Sequence, residues 1–257
     1  MSGSTLEGKK AVVVGGSAPD GIGFAIARRF REEGAQVVIA GVELEQTQQV
    51  APTIGAGAAF LDMLDEKSIE AGIADAKAHM GGLDIVVNAA GVNRARLVAE
   101  EDAAGLDFIS RLHFVGTVLL FRYGAAAMND GGAMLTLSSV TAERPGFNLA
   151  GYAGSKAAAD AVVKVAAQEY GARGIRVNAI APGLTHTAMT DAYFSNEKTV
   201  RAFENEIPIG RMTTVQNVAD TAAWVVSDAC ISTGERIRVS GGMHLRRLPG
   251  ARDFELA

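Results

Sequence analysis

Cysteine is nearly absent from this 257-residue sequence, in which Cys230 is the single example. One cysteine cannot form an internal disulfide or supply the cysteine cluster of a zinc site. The four histidines, His79, His113, His186 and His244, are scattered without the spacing of metal ligands. We therefore expect neither a disulfide framework nor a bound metal.

An excess of positive charge is also lacking. The 24 Lys and Arg residues are outnumbered by 29 Asp and Glu residues, which gives a formal net charge of −5. Proteins that bind nucleic acid gather basic residues against the phosphate backbone, so no nucleic-acid partner is expected. No apolar run approaches the ~18 residues of a membrane span, and the opening MSGSTLEGKK has no signal-peptide core. The composition therefore favours a soluble cytoplasmic protein with no membrane partner.

Short apolar runs alternate regularly with helical stretches. Seven runs are strand candidates: 10–14, 36–40, 58–62, 83–88, 133–139, 175–182 and 236–240. Their continuous apolar character is typical of parallel strands covered on both faces. Helical spacing occupies 21–34, 65–82, 103–129, 152–171 and 215–229. The order predicts one α/β domain over 1–257, a doubly wound Rossmann-type fold whose parallel sheet of about seven strands carries helices on both faces.

The stretch GGSAPDGIG, residues 15–23, joins the first predicted strand to the first predicted helix. Ligands of such sheets bind beyond the carboxyl ends of the strands, where helix N-terminal N–H groups attract phosphate. Glycines let the backbone approach a dinucleotide closely. A glycine loop also closes ordinary strand–helix turns, so this stretch alone decides nothing.

Four further motifs follow later strands in order: NAAG (88–91), SS (138–139), YAGSK (152–156) and PGLTHT (182–187). Together with the glycine loop they resemble the classical short-chain dehydrogenase/reductase family over essentially the whole chain. The loop departs from that family's pattern, because five residues rather than three separate Gly15 from Gly21. We expect the inserted Ala18-Pro19 to bulge towards solvent, since proline has no N–H to offer a phosphate.

The resemblance implies a nicotinamide cofactor held by residues that follow the strands. The implied cofactor-binding residues are Gly15, Ser17, Gly21, Ile22, Gly23, Asp62, Met63, Asn88, Ala89, Gly91, Tyr152, Lys156, Pro182, Gly183, Thr185 and Thr187. Asp62 would lie on the adenine side, and Asn88 would brace the central strands against the cofactor.

The resemblance also implies hydride transfer at a carbinol carbon, with the proton handled by Tyr152. A free tyrosine has a pKa near ~10, too high for a general base at neutral pH. Lys156 lies four residues later on the same helical face, where its ammonium favours the phenolate. In this family Lys156 would also hold the nicotinamide ribose, and the Ser139 hydroxyl would orient the substrate oxygen.

His113 stands where the family usually carries an asparagine that helps a water-linked proton relay to the lysine. A near-neutral histidine pKa suits a relay, and we therefore expect a catalytic role for His113. The alternative is that His113 is a packed helix residue in a chain without turnover.

The choice between NAD and NADP rests on the end of the second predicted strand. Gly41 replaces the acid that would bond the ribose hydroxyls, and Val42 replaces the arginine that would meet a 2′-phosphate. Asp20, before the second glycine of the loop, would repel a 2′-phosphate, although it could instead cap the helix. NAD is favoured, with Glu43 as a candidate ribose partner, and NADP stays open.

The sequence says less about the substrate than about the cofactor. A substrate lid is expected at about 186–211, where five apolar residues either line a pocket or form the core of two short helices: Met189, Tyr193, Phe194, Phe203 and Ile207. Four charged residues are expected at the mouth, either binding an anion or solvated: Arg94, Arg96, Glu143 and Arg144. The tail after Leu245 extends beyond the family pattern and is expected to reach a neighbouring subunit.

We therefore expect an NAD-dependent oxidoreductase acting on a small-molecule secondary alcohol or ketone, alicyclic or aromatic. One alternative is an NADPH-dependent reductase of carrier-bound 3-oxoacyl groups. The other is a non-catalytic cofactor sensor on the same fold. The small residues of 153–167 would let this helix approach a partner closely, and members of the resembled family usually form dimers or tetramers through such helices. We therefore expect a homo-oligomer, either a dimer or a homotetramer.

Overall fold

Seven parallel strands form one sheet in the order β3-β2-β1-β4-β5-β6-β7 in the computed structural model, which describes residues 5–256. The strands are β1 Lys10–Val14, β2 Gln36–Gly41, β3 Gly57–Phe60, β4 Ile85–Asn88, β5 Ala133–Leu137, β6 Arg176–Pro182 and β7 Arg236–Val239. All six pairings between neighbours in this described part are parallel. The strand order reverses between β1 and β4, so the predicted doubly wound Rossmann-type fold is confirmed.

Ten α-helices occur within residues 5–256 and cover both faces of the sheet. They are α1 Ile22–Glu32, α2 Leu44–Val50, α3 Glu66–Met80, α4 Ala103–Ser110, α5 Gly116–Ala127, α6 Ala150–Tyr170, α7 Asp191–Phe194, α8 Glu197–Asn205, α9 Val215–Val226 and α10 Ala251–Leu256. One core joins α1 and α9 to the sheet, and a second joins α3, α5 and α6 to its other face. Successive β1 residues alternate between the two cores: Ala11 and Val13 face the first, and Val12 and Val14 face the second. This double burial explains the continuous apolar character of the strands.

The predicted helix 103–129 is interrupted by a π-helical turn, Arg111–Val115, between α4 and α5. A π turn adds one residue to the helical repeat, and such turns are frequent at functional sites. Here it places His113 in the interior, next to α6.

Residues 103–127 form the one helix within the described chain that is long and apolar enough to cross a membrane by length and composition. This helix packs on α3 and α6 at the second core. Core helices of soluble proteins pass the same test, so the finding is weak evidence of a membrane segment. Several of its apolar side chains are exposed, namely Leu106, Phe108, Phe114 and Val118.

The expected lid does contain short helices, α7 and α8. Residues after Leu245 continue into α10, which packs against α8 of the same chain. In the structure the tail lies on the expected lid of its own chain, and its contact with a neighbouring subunit stays a prediction.

Candidate active site

A cavity of about 1030 Å³ opens at the carboxyl ends of the strands. It brings together most of the residues that the sequence nominates: Gly15, Ser17, Gly21, Ile22, Gly23, Asp62, Met63, Ala89, Gly91, Ser139, Tyr152, Lys156, Pro182, Gly183, Thr185 and Thr187. Asn88 and His113 do not line it. The convergence follows from the topology, because parallel strands end at the same edge of the sheet.

The glycine loop forms a close-packed floor at one end of the cavity. A Cβ added at Gly23 would lie 2.3 Å from the Gly15 carbonyl oxygen, and one added at Gly15 would lie 2.5 Å from the Ala90 nitrogen. Gly15 also has a φ of 90°, which side chains rarely adopt. The N-terminus of α1 therefore reaches the cavity through Gly21 and Gly23, two residues without side chains. This cradle fits the phosphates of a dinucleotide.

The two-residue insertion matches the expected bulge only at Pro19, because Ala18 lines the cavity. The Gly21 N–H donates to the Ala18 carbonyl at 2.9 Å, which closes a turn with Pro19 at its exposed tip. Asp20 lines the cavity and has no hydrogen bond or ion pair within residues 5–256. The residue that caps α1 is Gly21, without a side-chain bond, so Asp20 is not the cap.

Asp62 and Asn88 have different surroundings. Asp62 lines the cavity, and its carboxylate accepts the Leu64 N–H at 2.9 Å. Asn88 is buried, donates to the Thr117 hydroxyl at 2.9 Å and accepts the Ala90 N–H at 3.1 Å. Asn88 therefore braces the end of β4 against α5.

Ser139, Tyr152 and Lys156 all line the cavity. Ser139 follows β5, and its hydroxyl accepts from the Thr141 N–H and hydroxyl at 3.2 and 2.8 Å. Tyr152 and Lys156 lie one turn apart on α6, with the Lys156 ammonium 5.9 Å from the centre of the tyrosine ring. The Lys156 Nζ donates to the Leu137 carbonyl at 2.8 Å. Ser139 thus comes from the end of β5, whereas Tyr152 and Lys156 come from α6.

Burial sets the ionisation of these groups. It raises the pKa of Tyr152, while the nearby Ser139 hydroxyl lowers it by a smaller amount. It also lowers the pKa of Lys156 to about 8, against the opposing effect of Asp160. The lowered tyrosine pKa expected from the sequence is therefore not present in the structure. Tyr152 is a neutral phenol at neutral pH, ready to donate a proton.

His113 differs most from its predicted role. Burial, and then the Lys156 charge, lower its pKa to about 2, so it stays neutral. Its Nε2 accepts the Val92 N–H at 3.2 Å, so the proton sits on Nδ1, which donates to the Ser155 hydroxyl at 2.8 Å. That hydroxyl donates to the Tyr152 carbonyl at 2.8 Å. Both ring nitrogens are thus engaged, and the arrangement supports a packed bridge between the loop after β4 and α6 rather than the expected proton relay.

Comparison with known proteins gives independent evidence of the family to which the chain belongs. A family model described as enoyl-(acyl carrier protein) reductase matches residues 15–244, most of the chain. The chain belongs to the short-chain dehydrogenase/reductase family. This is an oxidoreductase family, and the predicted membership is confirmed.

Individual relatives span nearly the full chain. The 3-oxoacyl-[acyl-carrier-protein] reductase of Escherichia coli is 33% identical over 249 residues, 93% of this chain and 99% of that protein. The 3beta-hydroxysteroid dehydrogenase 1 of Eggerthella lenta is 35% identical over 254 residues, 93% of this chain and 95% of that protein. A solved short-chain type dehydrogenase/reductase from Mycobacterium ulcerans superposes with a TM-score of 0.90 at 27% identity, covering 95% of this chain and 92% of that one.

The segment 186–211, which the sequence predicts as a substrate lid, supplies one apolar wall of the cavity. Met189, Tyr193 and Phe203 line it, whereas the other two predicted lid residues do not. Phe194 stacks on His186 with ring centres 4.3 Å apart, and Ile207 is buried beside Val140. Met189 therefore lines the cavity and Ile207 packs in the interior, whereas Phe203 does both.

The tail supplies a second apolar wall that the sequence did not predict. Leu248, Pro249, Gly250 and Phe254 line the cavity, and Phe254 stacks on Phe203 with ring centres 5.9 Å apart. Arg247 fixes the tail by pairing with Asp253 at 2.6 Å and with Glu206 at 3.0 Å.

The sequence analysis also does not predict that the segment before α6 lines the cavity. Residues 146–149 line the cavity, and Asn148 has a φ of 57°. The sequence PGFN, residues 145–148, is a turn signal that could have indicated this loop, because asparagine tolerates the left-handed region.

None of the four expected mouth residues lines the cavity. Arg94 pairs with Glu101 and with Asp102, and Arg96 lies 3.6 Å from Asp102. The Arg144 Nε donates to the His244 carbonyl at 2.5 Å. Glu143 is bound by two arginines of β7. Arg94, Arg96 and Glu143 form ion pairs within the protein, so of the two alternatives anion binding at the mouth gains no support from these three residues.

Proposed function

We propose that this protein is an NAD-dependent oxidoreductase of neutral secondary alcohols and ketones, alicyclic or aromatic. The observation that carries the proposal is the meeting of Ser139, Tyr152 and Lys156 beside a glycine cradle, in one cavity. A bound nicotinamide would supply or accept the hydride. It would be held by the sixteen residues predicted from the sequence as cofactor-binding, from Gly15 to Thr187. Asn88, which does not line the cavity, would contribute by bracing the end of β4.

The protein's own groups would handle the proton. In the reducing direction the Ser139 hydroxyl orients the ketone oxygen, and the Tyr152 O–H gives its proton to that oxygen as the carbinol forms. Lys156 stabilises the resulting phenolate, since its ammonium lies next to the tyrosine ring. In the oxidising direction the phenolate takes the proton back. Tyr152 is thus the general acid or base, and His113 holds the backbone of its helix through Ser155.

The cavity favours a neutral substrate. Its charged residues within the described chain are Asp20, Asp62 and Lys156, and the first two lie on the cofactor side. The lid and tail walls are apolar, with Tyr193, Phe203 and Phe254 at their centre. A carboxylate or phosphate placed there would be buried without a partner, which is costly. The steroid dehydrogenase among the relatives is consistent with a bulky alicyclic alcohol.

We expect NADH to bind at least ten-fold more tightly than NADPH in fluorescence titrations, a difference of about 1.4 kcal/mol. No Arg lines the cavity within the described residues, Gly41 leaves open space at the end of β2, and Asp20 repels a 2′-phosphate. Glu43 is exposed and does not line the cavity. Asp20→Asn should improve NADPH affinity and leave NADH affinity unchanged. Ten-fold tighter binding of NADPH to the wild type would overturn the NAD assignment.

We expect neutral cyclic and aryl ketones to be reduced with kcat/KM at least about 10²-fold above ketoacids of equal size, because a buried carboxylate lacks a partner here. Absorbance of the nicotinamide band measures the rate. Phe254→Ala, which opens the tail wall, should raise KM for bulky ketones more than for small ones. A preference for ketoacids would contradict the neutral-substrate assignment.

Two alternatives remain as outcomes of that panel. Faster reduction of 3-oxoacyl thioesters with NADPH would support a carrier-linked reductase, as the E. coli relative is named. Binding of NADH without turnover of any ketone would support a cofactor sensor. In either case we expect a homodimer or homotetramer, with the small residues of 153–167 and the exposed apolar side chains of α4 and α5 as candidates for its contacts.

A further inference from the structure

A cluster of charged side chains lies behind the serine segment, outside the cavity lining. It consists of Glu143, Asp160, Arg236 and Arg238, which come from the turn after Ser139, from α6 and from β7. Arg236 and Arg238 alternate along β7 and so point to the same side of the sheet. The cluster therefore joins the two elements that carry the catalytic groups to the edge strand.

Arg236 is the centre of this cluster. It forms an ion pair with Glu143, its Nε lies 3.6 Å from the Asp160 Oδ2, and its Nη1 donates to the Ser139 carbonyl at 3.4 Å. Arg238 also donates to the Glu143 carboxylate, at 2.7 and 3.1 Å. One guanidinium thus contacts the backbone of the catalytic serine, the turn that follows it and the catalytic helix.

Stability alone does not explain such a cluster. The side chains of Asp160 and Arg236 are 15% and 16% exposed. Burial raises the pKa of Asp160 to about 6 and lowers that of Arg236. Desolvation of buried ion pairs commonly offsets their attraction, so apolar residues would stabilise the fold as well. Two polar atoms at this junction, the Ser138 Oγ and the Asp160 Oδ1, are buried without a hydrogen-bond partner in the described chain.

We propose that Glu143, Asp160 and Arg236 are positioning residues that hold the Ser139 segment and α6 at the spacing required for catalysis. This inference rests on the proposed function only for its kinetic consequences. Because Arg236 contacts both α6 and the Ser139 backbone, it resists a displacement of either one relative to the other. Misplacement of catalytic groups by about 1 Å is enough to slow a reaction by about 10²-fold.

Asp160 also acts on Lys156, which lies one helical turn before it. Its carboxylate raises the pKa of Lys156 against the lowering by burial. The charged groups that face Asp160 are Lys156 and Lys164 from α6 and Arg236 from β7, with the Ser138 hydroxyl at the end of β5. Removing the carboxylate leaves the burial of Lys156 unopposed, so its pKa falls.

The test is the titration of Lys156 in the full-length protein labelled with carbon-13 at lysine Cε. The signal is assigned by its loss in Lys156→Met. In Asp160→Asn we expect its midpoint to fall by roughly half a pH unit or more, and Asp160→Glu should restore it. Glu169→Gln, an exposed acid on the same helix, is the matched control and should leave the midpoint unchanged. This readout needs no turnover, so it stands even if no substrate is found.

Kinetics test the positioning role on the ketone that the wild type reduces best. Asp160→Asn and Glu143→Gln should each lower kcat by about ten-fold with little change in KM. Glu143 lies at the more exposed end of the cluster, so Glu143→Gln serves if Asp160→Asn does not fold. A changed melting temperature with an unchanged Lys156 midpoint and an unchanged kcat would show a merely structural cluster and overturn the inference.

Discussion

Tyr152→Phe is expected to lower kcat by about 10³-fold while NADH affinity stays at the wild-type value. The substitution removes one oxygen, the atom that exchanges the proton with the substrate in the proposed reaction. The ring remains and keeps its edge contact with His113, whose ring centre lies 5.6 Å away. Stopped-flow or steady-state absorbance gives the rate, and fluorescence titration gives the affinity.

Tyr123→Phe is the matched control for that substitution. The Tyr123 hydroxyl donates to Glu66 at 2.8 Å on the surface between α3 and α5, away from the cavity. It should keep its activity within about two-fold of the wild type, as expected for a surface change. An unaffected rate in Tyr152→Phe would refute the tyrosine as acid or base, whereas loss of NADH binding would indicate that the hydroxyl of Tyr152 mainly holds the cofactor.

The sheet could be predicted from the sequence because each strand carries its own signal. A strand buried on both faces is apolar throughout, and runs such as 10–14 match β1 to the residue. The glycine loop and YAGSK are likewise local patterns, and the topology brings them together. Helix boundaries are predicted less accurately from the sequence. The predicted helix 103–129 does not include the π turn, because that turn depends on the packing of His113 against Ser155 rather than on any local spacing.

The parts of the site that the sequence did not reveal depend on contacts between distant residues. The tail wall exists because Arg247 reaches Glu206, 41 positions earlier, and no local pattern marks such a pair. The role of Arg236 depends on Glu143 and Asp160 in the same way. His113 illustrates a different limit. Its residue type suggests a titrating group, but burial beside Lys156 removes that property, and burial depth is set by tertiary packing.

Gly23→Ala should weaken NADH binding by at least about 100-fold and lower the free energy of unfolding by roughly 1–3 kcal/mol, as overpacking does. The added Cβ would lie 2.3 Å from the Gly15 carbonyl oxygen and 3.1 Å from the Ala89 Cβ, so the N-terminus of α1 must move off the loop. Fluorescence titration and thermal denaturation measure the two effects. Gly171→Ala is the control: Gly171 has helical φ and ψ angles, and its Cβ would meet no described atom within 4 Å. A folded Gly23→Ala protein with wild-type NADH affinity would mean that the cofactor phosphates do not lie on this loop, since a displaced helix N-terminus could not then be their binding site.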